Sequence, residues 1–103
     1  MRGVDAFEEL CDDLLARNAD LERTQMMGYP SLKRNGRLVA CFSASEDAMV
    51  FRLPDPAARA ETLALEGAHL FAPGRRGSAF EQWVVVPRAL AERWPELAER
   101  ALA

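Results

Sequence analysis

The sequence predicts an α+β domain: two layers, with a five- or six-stranded antiparallel sheet and helices at the N-terminus, in the middle and at the C-terminus. Three observations carry this. Apolar residues recur at helical spacing near both ends of the chain. Asn35-Gly36 separates two runs of strand-forming residues. Asp55-Pro56 starts a helix between two groups of strands. The 103 residues, half of them hydrophobic, suit one domain over 1–103 with an ordinary core.

In the first helix, Phe7, Leu10, Cys11, Leu14 and Leu15 fall on one stripe. Asp5 is the expected N-cap, with Glu8 completing a capping box. Glu22 to Gly28 reads as extended. Residues 31–34 and 37–43 form a hairpin, because Asn-Gly supplies the two positive φ angles of a type I′ turn. That turn sets Leu32 opposite Val39 and Arg34 opposite Arg37. Leu38, Ala40 and Phe42 then share one face, with Val39 and Cys41 on the other. Ala48–Leu53 is the next strand, with Met49, Phe51 and Leu53 on one side.

Asp55 caps the middle helix and Pro56 takes its first position, where the missing N–H costs nothing. Ala57, Ala60, Leu63 and Ala64 give its apolar stripe, and Gly67 its stop. His69–Ala72 is a short strand, residues 73–78 a loop, and Phe80–Val86 a strand apolar on both faces. Leu90, Trp94, Leu97 and Ala101 line a final helix, broken or restarted at Trp94-Pro95. The sheet's second face is also apolar. The expectation is that the C-terminal helix or a second copy of the chain covers it, which predicts a homodimer.

The stretch Met26-Met27-Gly28-Tyr29-Pro30-Ser31-Leu32, with Lys33-Arg34-Asn35-Gly36-Arg37-Leu38-Val39-Ala40-Cys41-Phe42, resembles the signature of the TfoX N-terminal domain and its MmcQ/YjbR-like relatives. Val50-Phe51-Arg52-Leu53-Pro54 and Trp83-Val84-Val85-Val86-Pro87 resemble their later strands. The resemblance implies a secretion-chaperone-like fold and a regulatory domain, linked to DNA uptake or labelled DNA-binding.

A net charge of −3 argues against nucleic-acid binding over the whole surface. The charge is uneven. Residues 1–22 hold seven acids and two bases, whereas residues 23–52 hold five bases and two acids. Lys33, Arg34, Arg37, Arg75 and Arg76 are the candidate anion or nucleic-acid contacts, if the two hairpin tips are neighbours. Catalytic and metal sets are not found. His69 is the single histidine, and Cys11 and Cys41 lie in apolar runs that blunt a thiol. Core packing is the expected role of Met26 and Met27. No cofactor is implied.

The chain lacks a signal peptide and a membrane span, so the cytoplasm is expected, with no membrane partner. The functional expectation is a non-catalytic regulatory or interaction domain that binds a partner protein or nucleic acid. A secretion-chaperone-like peptide binder is the alternative, and an enzyme ranks last.

Overall fold

Asn35 and Gly36 both adopt positive φ, 52° and 79°, and join β2 (Tyr29–Arg34) to β3 (Arg37–Ser43) as a tight hairpin. A second pair, Met27 and Gly28 at 50° and 85°, does the same between β1 (Leu21–Met26) and β2. The computed structural model describes residues 2–72 and 80–103. Its remaining elements are α1 (Gly3–Arg17), β4 (Ala48–Arg52), α2 (Pro56–Leu63), β5 (His69–Phe71) and β6 (Phe80–Pro87). A 3₁₀ segment (Arg88–Arg93) and α3 (Trp94–Leu102) follow. The strands form one antiparallel sheet in the order β1-β2-β3-β4-β6-β5. The α+β class, the order of elements and the six-stranded sheet are as the sequence predicts.

The main core lies between the sheet and the helices. Phe7, Leu10, Cys11 and Leu14 of α1 meet Phe42, Met49, Phe51, Val84 and Val86, together with Trp94, Leu97, Ala98 and Ala101 of α3. Phe7 and Phe42 stack with centroids 5.2 Å apart. Asp55 caps α2 through Ala58 N–H at 3.1 Å, and Pro56 follows in the first turn, as expected. Pro95 likewise lies in the first turn of α3, where the 3₁₀ segment gives way to the α-helix.

Five sequence expectations need correction. Asp5 does not cap α1. The helix begins at Gly3, with Arg2 at the cap position, and Asp5 lies inside its first turn, its carboxylate accepting from Arg2 Nε at 3.4 Å. Leu32 pairs with Ala40 rather than Val39, because a bulge interrupts the register between Leu32 and Lys33. The extra residue shifts the alternation, so Val39 joins the main core beside Ala40 and Phe42. In α2 the buried residues are Ala58 and Thr62, not Ala57 and Ala60. Thr62 tolerates burial because its hydroxyl donates to the Ala58 carbonyl at 2.8 Å. The helix also ends before Gly67, whose φ of 89° serves the following turn. Met27 is 66% exposed at its turn rather than packed in the core.

The fifth correction concerns the second sheet face. α3 does not cover it, since Leu97, Ala98 and Ala101 belong to the main core. Cys41, Ala48, Val50, Phe71 and Val85 form a second cluster there, flanked by Met26, Tyr29 and Trp83. Tyr29 meets Phe71 edge-on at 5.7 Å. All five cluster residues are buried within the single chain.

Candidate anion-binding cleft

The type I′ turn fixes Arg34 and Arg37 directly opposite each other at the end of the β2–β3 ribbon. Like charges so placed repel. Arg34 is relieved by two acceptors: its Nε donates to Asp20 at 2.7 Å and its Nη1 to the Leu102 carbonyl at 2.7 Å. The second contact sets a cation at the negative end of α3. Asp20 is drawn below the ordinary carboxylate range chiefly by that Arg34 hydrogen bond. Arg34 is thus a fixed wall, tying the ribbon to α3.

Beside it opens a cleft of about 300 Å³, lined by Arg34, Asn35, Arg37, Val39 and Arg52 and closed by residues 101–103. Arg52 arrives because β4 runs antiparallel to β3, bringing the end of one strand level with the start of the other. Among the described residues, the side chains of Arg37 and Arg52 have no ion-pair or hydrogen-bond partner. Arg2, Arg17, Arg23, Arg34, Arg88, Arg93 and Arg100 all meet a carboxylate. Lys33 and Arg59 also meet no carboxylate among the described residues, Arg59 donating instead to the Leu53 and Pro54 carbonyls, but neither lines the cleft, where two unpaired guanidinium groups come together.

The structure brings together only part of the predicted set. Arg34 and Arg37 share the cleft. Lys33 does not line it, since neighbouring strand residues point to opposite faces. Arg75 and Arg76 lie outside the described residues. Arg52 is the member missed from sequence. Its signal was the surplus of bases through residue 52 combined with the β3–β4 pairing.

The remaining reactive side chains are placed quietly. Burial pushes the Cys41 thiol up to about 12. It also raises Cys11, against a smaller opposing effect of a hydrogen bond from Arg23. His69 sits between the Glu46 carboxylate, 3.0 Å from Nε2, and the Gly67 carbonyl, 3.1 Å from Nδ1. Its side chain is 54% exposed. Among the described residues, no group of three or more His, Cys, Asp or Glu could hold a metal ion. No helix among them is long and apolar enough to cross a membrane.

Chemically, the cleft offers two free guanidinium forks and a side-chain amide. These are donors that match a carboxylate or phosphate. No family model, curated protein or solved structure matches this chain.

Proposed function

We propose that this protein is a small non-catalytic interaction module that recognises an anionic group on a partner protein, through the cleft at the end of the β2–β3 ribbon. The observation that carries the reading is the convergence of Arg37 and Arg52, both without a counter-ion among the described residues, beside an Arg34 locked by Asp20 and Leu102. A planar guanidinium fork matches a carboxylate or phosphate through two parallel hydrogen bonds.

A partner protein is favoured over nucleic acid. The overall charge is −3, and the outer surface of α1 carries Glu9 and Asp12 along with the paired Glu8 and Asp13. A long polyphosphate chain gains little from a net-acidic surface, whereas a short anionic group needs only the cleft. Two features support a role without catalysis. Both thiols are buried and held in the protonated form. The His69–Glu46 pair is exposed, and among the described residues no nucleophile is bonded to it. The resemblance to the TfoX and YjbR-like domains points the same way, toward regulation rather than chemistry.

The test is a heteronuclear NMR titration of the whole chain with a phosphoserine peptide, an acidic peptide and a single-stranded oligonucleotide. Saturable shifts at Asn35, Arg37 and Arg52 are expected with the peptides, and none with the oligonucleotide. Arg37→Ala with Arg52→Ala should abolish them while Arg34 and the fold remain. Saturable binding that survives the double substitution, or binding of the oligonucleotide alone, would refute the reading.

A further inference from the structure

A second concave surface lies between α1 and the 3₁₀ segment that leads into α3. It is a groove of about 400 Å³. Ala6 and Leu10 line one side and Ala91 and Pro95 the other, with the buried Trp94 beneath them. Its rim carries Glu9 and Asp13 from α1 and Glu92 from the opposite side, and no basic residue lines it. Asp13 is bonded to Arg17 at 2.8 Å. Among the described residues, Glu9 and Glu92 have no cationic partner. The groove therefore pairs an apolar floor with uncompensated negative charge on both banks.

Its two walls are fixed relative to each other. Asp47 accepts from Gly3 N–H at the start of α1 and from Arg88 Nε at the start of the 3₁₀ segment, at 3.1 and 2.7 Å. The Asp47 carbonyl also accepts from Arg88 N–H at 3.1 Å. Arg17 meets Glu99 of α3 at 3.2 Å further along. The groove is thus held open before any partner arrives, which lowers the ordering cost of binding.

We infer that this groove docks a short basic segment of a partner protein, with one apolar side chain entering between Leu10 and Ala91 and lysines or arginines flanking it. The occupant follows from complementarity. An apolar anchor replaces water over Ala6, Ala91 and Pro95, and flanking cations meet Glu9 and Glu92. An acidic segment would be repelled from both banks. This surface is separate from the arginine cleft and shares no lining residue with it.

The probe is an amphipathic peptide of leucine and lysine, about 14 residues or roughly four helical turns long, titrated into the whole chain and followed by NMR. The expected shifts fall on the amides of Ala6, Leu10, Ala91 and Glu92 and on the Trp94 indole. Glu9→Lys with Glu92→Lys should weaken binding about tenfold, as two exposed attractions become repulsions. Glu66→Lys, on a different surface, should leave it unchanged. A counterpart peptide with glutamate for lysine, tested on the unaltered protein, should not bind. The inference is overturned by an absence of shifts at millimolar peptide, by shifts spread over other acidic surfaces, or by equal binding of the glutamate peptide. Unchanged affinity in a double variant that keeps its circular dichroism would overturn it too.

Discussion

The carboxylate of Asp47 lies 3.1 Å from the backbone nitrogen of Gly3 and so serves as the N-terminal cap that α1 lacks locally. Asp47 sits in the β3–β4 turn with φ of 51°, a conformation that Asp and Asn tolerate better than most residues. Its other oxygen accepts from Arg88, so one turn residue joins the first helix, the sheet and the segment entering the last helix.

Gly3→Ala should destabilise the protein even though alanine is the better helix former. A Cβ on Gly3 would collide with the Asp47 carboxylate and crowd the Phe42 ring at 3.3 Å. Asp47→Ala should cost about 1–2 kcal/mol, combining a lost cap with a positive φ that alanine disfavours. Asp47→Asn, which keeps an acceptor and suits the backbone, should cost less than half of that. Urea unfolding midpoints of the three variants decide the order. A neutral Gly3→Ala would remove the capping role.

How far the sequence discloses this architecture depends on the range of the signal. Asn35-Gly36 and Asp55-Pro56 are local, and each specifies its turn or cap through its own backbone preferences. The bulge at Leu32 is set by packing between strands, so extrapolating the hairpin register from its turn fails two residues out. In α2, alanines surround the axis, and their periodicity cannot say that Ala58 and Thr62 turn inward. The cap on α1 comes from 44 residues away, where local capping patterns give no sign of it. The cleft divides the same way. Arg34 and Arg37 are neighbours through a legible turn, while Arg52 joins them only through strand pairing.

The buried thiols make stability fall at high pH. Cys41 titrates near 12 in the folded chain against an ordinary value of 9.0, so between those values the folded state holds a proton that the unfolded state has lost. Its stabilising contribution is complete below 9.0 and disappears as the pH rises towards 12. The slope attributable to one thiol is at most about 1.4 kcal/mol per pH unit. Urea midpoints at several alkaline pH values should fall less steeply in Cys41→Ala than in the unaltered protein. Thiol titration with a disulfide reagent should find both cysteines unreactive until the chain unfolds.

Arg34→Gln should return the Asp20 carboxyl towards the ordinary range. In the folded chain the Arg34 hydrogen bond holds it low. The folded state therefore releases this proton more readily than the unfolded one. The pair supports the fold above the ordinary carboxylate range and stops doing so as the pH falls through the lowered value. Carbon-detected NMR of the Asp20 side chain gives the midpoint directly. An unchanged midpoint in Arg34→Gln would mean that Arg34 is not what fixes Asp20. It would also mean that the cleft's rigid wall has another origin.

Trp94 is the largest fully buried side chain, 1% exposed, and its indole N–H donates to the Val86 carbonyl at 3.1 Å. Pro87, the next residue, ends β6, and Pro95 follows Trp94 in the first turn of α3. The bond therefore ties the end of the last strand to the start of the last helix. Trp94→Phe retains an aromatic ring but removes the donor, leaving a buried carbonyl to find water or remain unpaired. The expected loss is about 1–3 kcal/mol. Trp94→Ala adds a cavity and should lose about 3–5 kcal/mol. Trp83 is only half-buried, so Trp83→Phe should leave a fluorescence spectrum that is blue-shifted and resistant to acrylamide. If quenching instead persists in Trp83→Phe, Trp94 is reachable by solvent, and the strand-to-helix tie does not hold as described.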